Sequence, residues 1–128
     1  QGLAQQVEFI PSVPREEVPA WLGKFDLFLF TSIWAEPMAR SVMEAMATGL
    51  LVIGSEVGGQ KEMFVNGQNA LTFEAGNASQ LADQIAWALA HPAEIEQIAA
   101  TGQQLVLERY TLTHMISTME RYLQEICK

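Results

Sequence analysis

The sequence predicts an α/β fold in which helices cover both faces of a parallel sheet. Short apolar runs alternate along the chain with segments whose apolar residues recur at three- and four-residue spacing, as in amphipathic helices. The apolar runs are continuous rather than alternating, which is typical of strands buried on both faces. The connections between the runs are so short that right-handed crossovers are the expected topology.

The predicted strands are the short apolar runs of this pattern. The sequence places them at Val7–Ile10, Leu27–Phe30, Leu50–Ile53 and Ala70–Phe73. Strands that follow one another in sequence usually pair or neighbour in space, so we expect these runs to share one sheet.

The predicted helices lie between and after the strands. Asn77 is a suitable N-cap for one of them, and Gly49 suits a left-handed C-terminal cap for another. The proline at position 19 weakens the continuity of the first helix. The first predicted helix begins at Ser12–Pro14 and has Val18, Trp21, Leu22 and Phe25 on one face. The second runs from Pro37 to Gly49. The remaining predicted helices are Gln60–Phe64, Ala78–Ala90, Ala93–Glu108 and Leu112–Ile126.

Composition limits the class of protein. A chain of 128 residues is one domain at most, and nearly half of it is hydrophobic. Seven basic and fifteen acidic residues give a net charge of −8, which argues against nucleic acid and anionic lipid as partners. No apolar run approaches the ~20 residues of a membrane span. The only cysteine is Cys127, so no intrachain disulfide is expected and a reducing cytoplasm is compatible.

Two carboxylates form the most informative part of the sequence. Seven residues separate Glu36 from Glu44, and the segment lies between the predicted strands Leu27–Phe30 and Leu50–Ile53. A strand, a turn and a helix therefore bring both side chains to the carboxyl edge of the sheet. Ligands bind at that edge in open α/β sheets.

The start of this helix predicts a phosphate site. Pro37 suits the first helical position, which leaves the N–H groups of Met38, Ala39 and Arg40 without intrahelical acceptors. Free N–H donors and the positive end of the helix dipole bind phosphate groups.

Three motifs carry a family resemblance: the Glu36-x7-Glu44 pair, the segment Glu44–Gly49 that completes it (EAMATG), and Gly58-Gly59-x-x-Glu62 after the next strand. With these motifs, the chain resembles glycosyltransferase group 1, and in particular the donor-binding C-terminal domain of a retaining, two-domain (GT-B) enzyme. The resemblance runs from about Val7 to the end of the chain. It implies a Rossmann-like parallel sheet with flanking helices.

The resemblance implies a role for each carboxylate. Glu36 would contact donor-sugar hydroxyls near the anomeric centre as the catalytic residue, and Glu44 would accept hydrogen bonds from the ribose hydroxyls. Carboxylates suit vicinal diols because each offers several lone pairs. The alternative is that Glu36 is only a helix cap and Glu44 a solvated helix residue. The other donor-binding residues that the resemblance implies are Ser32, Pro37, Met38, Ala39, Arg40, Gly58 and Gly59.

The turn departs from the family at two positions. Met38 and Ala39 stand where group 1 enzymes usually have phenylalanine and glycine. The methyl group of Ala39, which glycine lacks, would hinder close approach of the backbone to the sugar and diphosphate. Gly58 and Gly59 have a second interpretation as an ordinary strand-to-helix turn.

The donor expected from the resemblance is a nucleotide sugar such as a UDP- or GDP-sugar, with no cofactor. The only aspartates are Asp26 and Asp83, so the sequence has no Asp-x-Asp metal motif. We therefore expect metal-independent transfer, in which the helix dipole stabilises the leaving diphosphate.

The resemblance also implies that residues 1–128 are a partial domain, the truncated C-terminal half of a GT-B enzyme. The acceptor-binding N-terminal domain would be absent. Two βαβ repeats that carry an Arg and a Lys for the diphosphate would also be absent. The parent would be a nucleotide-sugar-dependent hexosyltransferase, cytoplasmic or peripheral to the membrane, and the fragment alone inactive.

A sheet without its central strands has an exposed edge, and such edges pair with other chains. We expect self-association through Leu27–Phe30, and the alternative is closure of Val7–Ile10 onto that strand. Two other functional classes remain open. One is a non-catalytic or degenerate nucleotide-sugar-binding module. The other, a phosphoacceptor receiver, is disfavoured because Asp26 lies at the start of its strand rather than at the end.

Overall fold

A computed structural model describes residues 2–127 of the chain. Its strands are β1 (Leu27–Phe30), β2 (Leu51–Ser55) and β3 (Leu71–Phe73). A 3-10 turn, Arg15–Glu17, precedes the first helix. The helices are α1 (Val18–Leu22), α2 (Arg40–Ala47), α3 (Gln60–Met63), α4 (Ala78–Ala90), α5 (Pro92–Arg109) and α6 (Leu112–Ile126).

The three strands form one parallel sheet in the order β1-β2-β3. All residues of the central strand β2 are buried. Alternate side chains of β2 face opposite layers, so Leu51 and Ile53 pack with α4 and α5 while Val52 packs with α2 and α3. Helices therefore cover both faces of the sheet, and the predicted α/β fold with a parallel sheet is confirmed.

Most of the predicted elements are present at or near the expected bounds. Both α4 and α6 begin and end where the sequence pattern places them. The Asn77 side chain caps α4 by accepting a hydrogen bond from the Gln80 N–H at 3.1 Å. Gly49 follows α2 with a φ of +84°, as a left-handed cap requires. The first predicted helix divides into the 3-10 turn and α1, and it ends at Leu22 before reaching Phe25.

The predicted strand Val7–Ile10 is wrong, because this segment forms no strand in the structure. Its apolar side chains are exposed, with Phe9 at 94% and Val7 at 54%. An apolar run becomes a strand only when another strand satisfies its backbone groups, and none of the described residues does so here. For the same reason, the alternative closure of this segment onto β1 is not present in the structure.

One edge of β1 carries no strand within residues 2–127, since β1 pairs only with β2. Leu29 on this strand is 44% exposed. Self-association through the edge stays a prediction. We expect light scattering of the isolated chain to give a molecular mass that rises with concentration, because free backbone donors and acceptors pair readily with a second copy.

A lysine on the edge tests where that association occurs. Leu29→Lys should lower the measured mass, because charged side chains hinder edge pairing. Met119→Lys on α6 is the matched control, since an apolar face is exposed there as well. A monomeric mass at every concentration, or a loss of association only in Met119→Lys, would contradict edge pairing. The exposed apolar residues of α6 are Leu112, Met115, Ile116, Met119, Tyr122, Leu123 and Ile126.

Among the helices that the structure describes, none combines the length and the apolar character needed to cross a membrane.

Candidate functional site

The candidate site lies where β1 and β2 end, as the edge rule for parallel sheets predicts. The Ser55 hydroxyl donates a hydrogen bond to the carbonyl oxygen of Ser32 at 2.6 Å. The Ser32 hydroxyl in turn donates to Oε1 of Glu36 at 2.9 Å. Ser55 is completely buried, whereas Ser32 and Glu36 are partly exposed. Two serines therefore hold one carboxylate at the carboxyl edge of the sheet.

A glycine pair holds the other side of the same turn. The Gly59 N–H donates to the carbonyl oxygen of Glu36 at 2.9 Å. A Cβ on Gly58 would overlap the Glu36 carbonyl oxygen, and a Cβ on Gly59 would overlap that of Pro37. Gly58 also has a φ of +51°, in the left-handed region that favours glycine. The two loops therefore pack backbone against backbone, and this contact requires glycine.

Gln60 fixes the residues that precede α2. This side chain is completely buried. In the amide orientation that satisfies both neighbours, its nitrogen donates to the Val57 carbonyl oxygen at 3.1 Å and its oxygen accepts from the Ala39 N–H at 2.6 Å. Ala39 is held in an extended conformation, with φ −76° and ψ 118°. The amide thus joins the turn before α2 to the turn after β2.

The predicted helix start at Pro37 is therefore wrong, because α2 begins at Arg40. Pro37 and Met38 lie in the turn, and the Ala39 N–H is already bonded to Gln60. The methyl group at position 39 does not project into the site, because Ala39 is 6% exposed and belongs to the hydrophobic core.

The later start moves the free donors of the helix terminus. The Met43 N–H donates to the Ala39 carbonyl oxygen at 3.4 Å. The N–H groups of Arg40, Ser41 and Val42 precede this bond and have no acceptor within the helix. Of the three N–H groups predicted to be free, that of Arg40 is free in the structure. Ser41 and Val42 take the places of Met38 and Ala39.

Glu44 lies apart from the Ser32–Glu36 pair, in the middle of α2. Its Oε1 is 3.6 Å from Nη2 of Arg40, and the two side chains are 42% and 64% exposed. An exposed ion pair of this kind contributes at most about 1 kcal/mol to stability, so a ligand can separate the two charges with little loss of free energy. Both side chains line a shallow groove of about 260 Å³ that ends at Tyr110 and Thr111 between α5 and α6.

The two largest of the grooves described, of about 710 and 690 Å³, lie at the opposite end of the sheet, where the strands begin. Neither contains Glu36 or Glu44. Within residues 2–127, no three His, Cys, Asp or Glu side chains are grouped so that they could hold a metal ion. Trp34 is 71% exposed, and its carbonyl oxygen accepts a hydrogen bond from the Glu36 N–H at 2.9 Å.

Sequence reasoning missed two residues of this site, Ser55 and Gln60. Each had a weak signal in the sequence. Ser55 is a hydroxyl residue two positions after the apolar run Leu50–Ile53, as Ser32 is two positions after the run Leu27–Phe30. Gln60 is the first residue after the glycine pair. Neither signal specifies which distant backbone group the side chain contacts.

The fold and the site together define a class of protein. A Rossmann-like parallel α/β domain carries a carboxylate, hydroxyls and a glycine turn at its carboxyl edge, which is the arrangement of a ligand-binding domain. The sequence model of the family described as "Glycosyl transferases group 1" matches residues 1–105. The chain belongs to this family, and the resemblance seen in the sequence is confirmed.

Individual relatives agree with this assignment. Spore coat protein SA of Bacillus subtilis is 38% identical over 80 residues, covering 62% of this chain and 21% of that protein. Trehalose synthase of Pyrococcus horikoshii is 32% identical over 111 residues, covering 87% of this chain and 25% of that protein.

A solved structure agrees as well. The crystal structure of Anabaena Alr3699/HepE in complex with UDP and glucose superposes with a TM-score of 0.89 at 25% identity. The match covers 97% of this chain and 33% of that protein. Across these three proteins, the chain spans between 21% and 33% of the relative's length.

Proposed function

We propose that this chain is the donor-binding part of a retaining glycosyltransferase that transfers a hexose from a nucleotide sugar, such as a UDP- or GDP-sugar, to an acceptor. The whole enzyme would include an acceptor-binding N-terminal domain, and the transfer would need no metal ion. The cytoplasmic location stays a prediction.

One observation carries the proposal. The Glu36 carboxylate is held at the carboxyl edge of the sheet by Ser32, directly ahead of a helix whose first N–H groups are free. An oriented acceptor for sugar hydroxyls therefore adjoins a group of donors for phosphate oxygens. A sugar linked to a diphosphate presents these two chemistries side by side. The UDP and glucose bound by the Anabaena relative support this choice of donor.

Each further residue takes a role from its position. The exposed residues Arg40 and Ser41, through their N–H groups and the Arg40 guanidinium, would stabilise the negative charge of the leaving diphosphate. Glu44 would accept hydrogen bonds from ribose hydroxyls further along α2. The Gly58-Gly59 turn would let the backbone lie close to the donor, and Ser32, Pro37 and Met38 would line the sugar end.

The test uses the full-length transferase with UDP-glucose and GDP-mannose, each with and without EDTA. We expect transfer of the sugar with its anomeric configuration kept, as read by NMR of the product, and an equal rate in EDTA. Inversion at the anomeric carbon would contradict the retaining assignment. A rate that EDTA abolishes would contradict metal-independent transfer.

The second candidate, a degenerate module that binds nucleotide sugars without turnover, is favoured by one feature. The Ala39 N–H is bonded to Gln60, so one backbone donor of the turn is not available to a ligand. Binding of UDP by the full-length protein without any transfer would support this candidate. The isolated 128-residue chain serves as the negative control for transfer, because it lacks the acceptor-binding domain in this proposal.

A further inference from the structure

The loop that carries Glu36 is held mainly by hydrogen bonds. The backbone ladder between β1 and β2 ends at the pair Phe30–Gly54. Beyond it, Ile33 and Trp34 are 66% and 71% exposed, so apolar packing does not anchor the loop. The position of the Glu36 carboxylate therefore depends on the few polar contacts that join this loop to its neighbours.

Ser55 supplies the first of these contacts. It lies one residue beyond the ladder, and its hydroxyl donates to the Ser32 carbonyl oxygen at 2.6 Å. This bond extends the connection between the two strands by one side chain. Because Ser55 is completely buried, its hydroxyl has no water to bond instead, and the contact is persistent.

Ser32 connects Ser55 to the Glu36 carboxylate. Its backbone carbonyl is fixed by Ser55, and its hydroxyl donates to Oε1 of Glu36 at 2.9 Å. A hydrogen bond to a charged carboxylate is stronger than one between neutral groups. It occupies one oxygen of Glu36 and leaves Oε2 to meet a ligand. The buried hydroxyl of Ser55 thus reaches the carboxylate through a single intermediate residue.

We propose that Ser55, acting through Ser32, is a positioning residue that holds the Glu36 carboxylate for reaction with the donor sugar. This inference rests on the proposed function, since it assigns Glu36 to the reacting end of the donor. Ser55 itself does not touch the substrate. Its loss should therefore affect the chemical step more than donor binding.

The test measures kcat and donor KM for variants of the full-length transferase. We expect Ser55→Ala to lower kcat about tenfold or more, because a small displacement of a catalytic group slows the reaction strongly, while donor KM changes by less than about threefold. Ser32→Ala should lower kcat by a similar factor. Ser32→Thr keeps the hydroxyl and should restore kcat. Ser55→Cys keeps the buried volume and replaces the hydroxyl with a weak donor, so it decides the question if Ser55→Ala does not fold.

Thr72→Val is the matched control. It removes a buried hydroxyl from the adjacent strand, where Thr72 donates to Glu56 at 2.7 Å rather than to the Glu36 loop. Its kcat should equal that of the wild type. The proposal is overturned if Ser55→Ala, or Ser55→Cys in its place, keeps the wild-type kcat, if Thr72→Val loses as much kcat, or if Ser32→Thr fails to restore the kcat that Ser32→Ala loses. A wild type that shows no Glu36-dependent transfer would overturn the proposed function, and this inference with it.

Discussion

Replacing Gly59 with alanine is expected to lower the free energy of unfolding by about 2–4 kcal/mol, a large effect for one methyl group. The added Cβ would overlap the Pro37 carbonyl oxygen, so the turn after β2 must move away from the turn before α2. The φ of Gly59 is −66°, which any residue adopts. The whole effect therefore reports the close contact between the loops.

Gly67→Ala is the matched control for this prediction. Gly67 has a φ of +74° but nothing within 4 Å of the position of an added Cβ. Alanine there should lower stability by only about 1–2 kcal/mol, through backbone strain alone. Urea denaturation of the three proteins gives the comparison. If Gly59→Ala is no more destabilising than Gly67→Ala, the two loops are not in close contact.

The same substitution should also weaken donor binding by the full-length transferase. Movement of the turn would break the bond from the Gly59 N–H to the Glu36 carbonyl oxygen and shift the carboxylate. Calorimetric titration with UDP on a folded variant measures this loss. Gly67→Ala should bind UDP as the wild type does, because Gly67 lies at the opposite end of the sheet, near the start of β3.

The sequence predicts best those elements that local features determine. The α4 helix has a clear apolar period and an N-cap residue, Asn77, and both bounds are correct. The central strand was predicted from the continuous apolar run Leu50–Ile53; it forms at Leu51–Ser55, and all of its residues are buried. In each case the residues that define the element lie within it, so no distant partner is needed to predict it.

Two predictions failed because a distant partner decides the structure. Val7–Ile10 has the composition of a strand, but strand formation depends on a neighbour that a local pattern cannot supply. Pro37 suits a helix start, yet Gln60 from another loop binds the Ala39 N–H and keeps this segment extended. Local propensity was overridden by a tertiary hydrogen bond in the second case.

The sequence predicted part of the candidate site. The edge rule places Glu36 and Glu44 at the carboxyl edge, and in the structure Glu36 lies there while Glu44 lies apart, in the middle of α2. Ser32 and Gly59, which the family resemblance implied, contact Glu36. The contributions of Ser55 and Gln60 depend on which backbone groups they contact across the fold. Sequence spacing carries no information about such contacts.

Glu36→Gln and Glu44→Gln in the full-length transferase should give opposite kinetic patterns. Contacts near the anomeric carbon strengthen as charge develops in the transition state, so Glu36→Gln should lower kcat about a hundredfold or more with little change in donor KM. Ribose contacts are alike in ground and transition states. Glu44→Gln should therefore raise donor KM about tenfold, the loss of one hydrogen bond to a charged group, with little change in kcat.

The structure makes these two variants a well-matched pair. Each replaces one carboxylate oxygen with an amide nitrogen at a partly exposed position, and neither residue belongs to the hydrophobic core. Differences in stability should therefore be small and similar, which thermal unfolding checks. If Glu36→Gln and Glu44→Gln have equal and small effects, both assigned roles are wrong.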